Sequence, residues 1–325
     1  MRRPTALVTM VAVAIMGVLF LNPVAASASA ARPAASAGSG AATPTFERDG
    51  AKLRTRAAAL PGKTSFAQDS FFSGTLAPGG QQHWIWNNAG TDIAFRVGFS
   101  PAGASTSATC QFETVDQWYE GLRTGERKFH FVIQNVGSLS CGATIELSAI
   151  AATTTRSTGG LNPGESISLD ESFIDQSSSY LVGVVPSGAT TTGTCQLKVV
   201  QTSYQIWNVH DLTGPFLNYT VQNVGSIACV GTVQVGSVPT ERVLSARNLA
   251  PGARVGWVWN NANPLTAVYL TGAIVSGDIG CEMEITRTWY SQDVNSNGTT
   301  ERRLHLFLKN IGDITCSGQA TLARI

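Results

Sequence analysis

The sequence predicts an all-β protein made of three tandem copies of a small antiparallel β-sandwich module, each closed by one disulfide. Two observations carry this expectation. Three sequence markers recur in one order, with corresponding markers 85 to 88 residues apart. Between the markers, apolar and polar residues alternate with a period of two, which puts alternate side chains on one face of a strand.

The first marker is a Leu-x-Pro-Gly turn at Leu76–Gly79, Leu161–Gly164 and Leu249–Gly252. The second is a cysteine that opens an alternating run: Cys110, Cys195 and Cys281. The third is Asn-x-Gly six residues before another cysteine: Asn135 before Cys141, Asn223 before Cys229, and Asn310 before Cys316. A fixed period of this kind marks a repeated supersecondary unit. It delimits modules at 66–150, 151–238 and 239–325.

Inside the modules the alternation is regular. Phe129, Phe131 and Ile133 align with Leu217, Tyr219 and Val221, and with Leu304, Leu306 and Leu308. One apolar and one polar face per strand implies a sheet buried on one side only. Turns every 8–12 residues and no helical period suggest a sandwich.

The repeat also selects the cysteine pairing: Cys110–Cys141, Cys195–Cys229 and Cys281–Cys316. Each bond closes a loop of just over thirty residues. It should stabilise its module by roughly 3–4 kcal/mol through lost chain entropy. A zinc site is the rival reading. The spacing is long and Cys-x-x-Cys is missing, which disfavours it.

The N-terminus fits export. Arg2 and Arg3 precede an apolar run from Ala6 to Leu21, and Ala-x-Ala cleavage candidates follow at Ala26–Ala28 and Ala28–Ala30. The expectation is a signal peptide over 1–30, a flexible leader over 31–65 rich in small residues, and a secreted mature chain with no membrane anchor. An oxidising destination agrees with the disulfides. Charged residues make up 13% of the chain and the formal net charge is +1, so no global field draws nucleic acid.

The strand Phe131-Val132-Ile133-Gln134, running into Asn135-Val136-Gly137, resembles the recurrent strand of bacterial extracellular immunoglobulin-like repeats of the cell-adhesion-related type. The stretch from Gly74 to Gly79 is similar to the opening of small β-sandwich modules appended to secreted bacterial peptidases. These resemblances imply an immunoglobulin-like module with an accessory or adhesive role, not catalysis.

Aromatic residues are the first candidates for binding. Trp84-Ile85-Trp86-Asn87 matches Trp257-Val258-Trp259-Asn260, and the second module carries Leu169 and Glu171 in place of the tryptophans. Leu169 in place of Trp84 marks a core position. Glu171 in place of Trp86 marks one that tolerates charge, so Trp86 and Trp259, with Asn87 and Asn260, are candidates for stacking on a sugar ring. Tyr119, Tyr204 and Tyr290 lie nine residues after the first cysteine of each module. That odd offset places them on the face opposite the cysteine if no bulge intervenes. Tyr119 and Tyr290 therefore join the candidate set, and packing between modules is the alternative. His130 and His305 also fall on the side away from the cysteines and read as solvated residues. Asp293, Asn295 and Asn297 precede Gly298 with the spacing that opens a calcium loop. Leu304 stands where such a loop needs Glu, so a hairpin turn is the better reading.

No nucleophile, metalloprotease or phosphate-binding motif occurs, and no cofactor is implied. The expected function is non-enzymatic binding or adhesion to an extracellular polysaccharide or protein surface. The alternative is a structural or protease-inhibitor-like protein that presents the 204–216 segment, with Trp207 and His210, as a rigid loop. Peptide mapping under non-reducing conditions is expected to recover three bridges, each within one repeat. A bridge between repeats would contradict the reading.

Overall fold

The computed structural model describes residues 45–46, 69–87, 89–209, 212–260, 262 and 268–325. The expected signal peptide, the leader apart from residues 45–46, and His210 lie outside the described residues. Strand β1 (Thr45–Phe46) pairs in parallel with the edge of the first repeat, and all other pairings are antiparallel. Among the described residues there is no helix.

Each repeat contributes strands in the same order. The first has β2 (Asp69–Leu76), β3 (Gln81–Trp86), β4 (Ile93–Ala102), β5 (Cys110–Gly121), β6 (Arg127–Asn135) and β7 (Cys141–Ala151). The second has β8 (Thr154–Leu161), β9 (Ser166–Ser172), β10 (Ser178–Ser187), β11 (Cys195–Val209), β12 (Leu212–Asn223) and β13 (Cys229–Pro239). The third has the short β14 (Arg242–Val243) and β15 (Arg247–Leu249), then β16 (Arg254–Trp259), β17 (Tyr269–Ser276), β18 (Glu282–Val294), β19 (Thr300–Asn310) and β20 (Cys316–Arg324). In the first repeat the layer β3-β6-β5 faces the layer β2-β7-β4, and the other two follow suit. Phe95 on Phe129 (5.4 Å) and Phe99 on Phe112 (6.1 Å) fill the space between the layers. The first two strands of the first and second repeats lie in opposite layers, and in the third β14 and β15 share one layer while β16 lies in the other. In the immunoglobulin pattern the first two strands would pair side by side. The order here is that of a rolled double hairpin, as in jelly rolls.

The recurring markers become one corner, built three times. In each Leu-x-Pro-Gly turn, proline presets one φ and glycine takes the positive φ that follows (Gly79 +75°, Gly164 +82°, Gly252 +77°). The turn closes through bonds such as Gly80 N–H to the Ala77 carbonyl, 2.8 Å. The asparagine of Asn-x-Gly is fully buried in every copy. Asn223 Nδ2 donates to the carbonyls of Leu161 (2.9 Å) and Ile227 (2.7 Å), and its Oδ1 accepts from Gly225 N–H at 2.9 Å. Asn135 and Asn310 repeat these three bonds. Beside this corner the disulfides Cys110–Cys141, Cys195–Cys229 and Cys281–Cys316 join one layer to the other. Three disulfides are typical of extracellular proteins.

The repeats share one sheet. The long strands β5, β11 and β18 each carry a β-bulge near the middle, at Thr114/Asp116, Val199/Gln201 and Ile285/Arg287. Each then pairs along its first residues with one neighbour and along its last residues with the other. Phe112 lies opposite Tyr290, Leu197 opposite Tyr119, and Met283 opposite Tyr204, so the register is the same at all three junctions. The strands therefore close a three-membered ring within a ten-stranded sheet. Buried polar contacts tie the same junctions. Arg302 Nε donates to the Phe99 carbonyl at 2.7 Å, Ser179 meets Thr321 at 2.9 Å, and Gln234 donates to the Thr91 carbonyl.

The bulge overturns one expectation. It adds a residue and so reverses the alternation after it, turning Tyr119, Tyr204 and Tyr290 toward the core. Tyr119 is 3% and Tyr290 2% exposed, so neither presents a binding surface. Their hydroxyls accept the backbone N–H of Phe95 (3.2 Å) and Tyr269 (3.0 Å), and Tyr204 bonds the backbone of Tyr180. The hydroxyl of each also approaches a glycine of the next repeat. A Cβ at Gly272 would lie 2.8 Å from the Tyr204 hydroxyl, which is why no side chain fits there.

Replacing Asn223 by Ala would orphan two buried carbonyls and one N–H. The expected cost is about 3 kcal/mol or more, read as a lower urea midpoint with an unchanged slope.

Candidate functional site

The face of the shared sheet turned away from the core carries two aromatic clusters. In the first repeat, Trp118 on β5 lies directly opposite His130 on β6, and His83 on β3 sits beside both. The rings are nearly parallel, with centroids 4.8 Å apart for Trp118–His130 and 5.0 Å for His83–Trp118. His83 Nε2 is 3.2 Å from His130 Nδ1, and His130 Nε2 is 2.9 Å from Glu120 Oε2. His130 is 5% exposed, so it is not the solvated residue its alternation suggested; the stack of rings covers it. In the third repeat, Trp289 stacks on His305 at 4.7 Å and tilts against Phe307 at 5.4 Å. Arg287 lies over the Trp289 ring at 4.7 Å. The second repeat has Ser203 opposite Asn218 instead and lacks the stack.

Burial sets the charge states here. It pushes His130 below the ordinary histidine value, and Glu120 opposes the shift without cancelling it. His83 and His305 are lowered by burial as well, against the pull of Asp116 and Asp293 respectively. Burial alone would raise Glu120. Hydrogen bonds from Thr194 and His130 outweigh it and hold that carboxyl below its usual range. The histidines are thus mainly neutral near pH 7, with the charges of Glu120 and Arg287 beside them.

The strand-end tryptophans differ from that picture. Trp84 is core, as the sequence implies. Trp86 is partly buried against Phe71, 5.8 Å between ring centroids. Trp259 is partly buried, with the Arg242 guanidinium 5.6 Å from its ring centroid. Asn87 is partly buried and Asn260 exposed. The structure does not bring these residues together with Tyr119 or Tyr290, which lie inside the sandwich.

The calcium-like run forms the tip of the β18–β19 hairpin and turns its oxygens on itself. Asn297 Oδ1 accepts from the Thr299 hydroxyl at 2.6 Å, Asn295 Nδ2 donates to Glu301 at 2.8 Å, and Asp293 pairs with Arg303 at 3.2 Å. The 204–216 segment is not a free loop. It is the paired end of the β11–β12 hairpin as far as Val209 and Leu212, with Trp207 47% exposed on it.

A concavity lies where the three bulges meet. It encloses about 560 Å³. The bulge residues Val115, Val200 and Thr286 line it on one side, and Arg96, Leu181 and Leu270 of β4, β10 and β17 on the other. Two ion pairs cross between repeats there. Lys198 meets Asp116 at 2.6 Å, and Arg287 Nε donates to Glu113 at 2.7 Å. The matching third position sets Glu284 against the neutral Gln201. Sequence reading missed this cavity, because it exists only once the ring closes.

No protein-family model matches the chain, and neither a curated protein nor a solved structure matches it.

The buried histidines give a pH signature. A histidine whose folded value is lowered takes up its proton more readily when unfolded, so its contribution erodes as pH falls below about 6.5. His130→Asn, which installs the residue of the second repeat, should flatten the decline in urea midpoint between pH 7.5 and 5.5. An equally steep decline in the variant would exclude His130 as a source.

Proposed function

We propose that this is a secreted, non-enzymatic binding protein whose target is an extracellular polysaccharide. One observation carries the reading. The same tryptophan–histidine stack occurs in two of three repeats, on the outward face of one continuous sheet. A tryptophan ring offers a flat apolar face suited to sugar stacking. Two such patches held on one rigid sheet could engage a repeating polymer together, and tethering the second contact raises overall affinity without new interactions. The strand-end residues Trp86 and Trp259 pack on the core side of the same strands, so with Asn87 and Asn260 they stand apart from this surface. In this proposal the rolled two-layer repeats stand in for the immunoglobulin-like modules that the sequence suggested, and the leader is the stalk or the remnant of export.

A protein partner is the second reading, favoured by one feature. Trp207 is strongly exposed near the tip of a rigid hairpin, as a protruding inhibitory or docking element would be.

Retention on insoluble glycans and cell-wall preparations tests the first reading. Trp118→Ala and Trp289→Ala should each weaken retention about tenfold, equal to roughly 1.4 kcal/mol, and the double variant should lose it. Retention unaltered in the double variant, or lost only with Trp207→Ala, would end the polysaccharide reading.

A further inference from the structure

The three repeats are nearly equivalent around the central cavity, and one residue breaks that equivalence sharply. Phe95, Tyr180 and Tyr269 occupy matching positions, since each gives its backbone to a core tyrosine. The residues that follow them are Arg96, Leu181 and Leu270, and all three line the cavity. Leu181 and Leu270 belong to a small apolar cluster with Ala94, Ile150, Val238 and Ala323. The structure thus accepts leucine at this position twice, and places a guanidinium there once.

That guanidinium is poorly compensated. Arg96 Nη2 donates to the Thr288 hydroxyl at 2.8 Å. Its Nε is closed to solvent and has no acceptor in the protein. Two of the three carboxylates lining the cavity are engaged elsewhere, Glu113 with Arg287 and Asp116 with Lys198, and the third, Glu284, is influenced by Lys309 and Glu282. Burial lowers the Arg96 pKa, with the nearby Tyr290 phenol opposing the shift, yet an arginine keeps its charge in such a site. Arg96 is partly buried, with a hydroxyl but no carboxylate to meet its charge, which is costly, and a packed leucine would remove the cost. Arginine at this place is therefore suited to a partner that arrives from outside.

We propose that Arg96 anchors a site for a small molecule bearing one carboxylate, bound in the cavity at the centre of the three repeats. The planar fork of arginine matches a carboxylate. Val97, Leu181, Val182 and Leu270 offer an apolar wall for the rest of the ligand. The volume lies in the range of small-molecule sites. The other charges lining the cavity are Lys198 and Arg287 against Glu113, Asp116 and Glu284, so a multiply charged anion gains nothing further. The site shares Arg287 with the aromatic stack of the third repeat but not its rings, and it stands whether or not the stacks hold a polysaccharide.

Thermal unfolding and calorimetric titration of the full chain at pH 7 test the proposal, with glucuronate, hexanoate, glucose and inorganic phosphate as probes. At about 10 mM, at least one of the two carboxylates should raise Tm by several degrees; which of them does so tells a sugar acid from an aliphatic acid. Glucose and phosphate should leave Tm in place. Arg96→Leu should fold with a Tm at or above the parent and lose the response. Arg96→Lys, which keeps the charge without the fork, should bind about tenfold more weakly. An unresponsive parent, an equal response in both variants, or a response to phosphate alone would overturn the site, and none of these results touches retention through Trp118 and Trp289.

Discussion

One extra residue in the middle of each long strand governs the rest of the molecule. Without a bulge, β5, β11 and β18 would keep a single alternation from cysteine to tip. The tyrosines nine residues after each cysteine would then face outward. With the bulge, Cys110 and Tyr119 both reach the core, and so do their counterparts. A bulge also increases local twist and bends the strand. The bend lets one strand serve two partners: its first half meets the preceding tip, its second half the following start. Ring closure, the buried tyrosines and the central cavity all follow from that inserted residue.

Each repeat brings its own local reinforcement to this arrangement. The buried asparagine ties the Pro-Gly turn to the Asn-x-Gly turn, and the disulfide crosses the layers beside it. Repeats of about this size have small cores and gain much from such staples. The corner is held constant in all three copies, while the outward face and the cavity lining vary. The places where the copies disagree are consequently the informative ones. Trp118 and Trp289 stand against Ser203, and Arg96 stands against Leu181 and Leu270.

Much of the scaffold was legible in the chain. The threefold repetition, the strand alternation and the cysteine pairing were readable because each is local or recurs at a fixed spacing. The bulges were not, since Thr114-Val115-Asp116, Val199-Val200-Gln201 and Ile285-Thr286-Arg287 carry no glycine and share no common residue to announce one. The exposure expected for Tyr119 and Tyr290 failed for that reason alone. The burial of His130 was hidden similarly: its alternation correctly put it on the outer face, but only tertiary pairing shows Trp118 and His83 covering it. Arg96 carries no sequence signal at all. Its meaning comes from β4, β10 and β17 meeting around one axis, which joins residues far apart in the chain.

Cross-strand nuclear Overhauser contacts between backbone protons of β5, β11 and β18 bear most directly on the closed ring. The structure calls for contacts at three junctions in one register: Phe112 with Tyr290, Leu197 with Tyr119, and Met283 with Tyr204. Two junctions with the third missing, or a slipped register at any of them, would show an open chain of repeats and remove the basis for the central cavity.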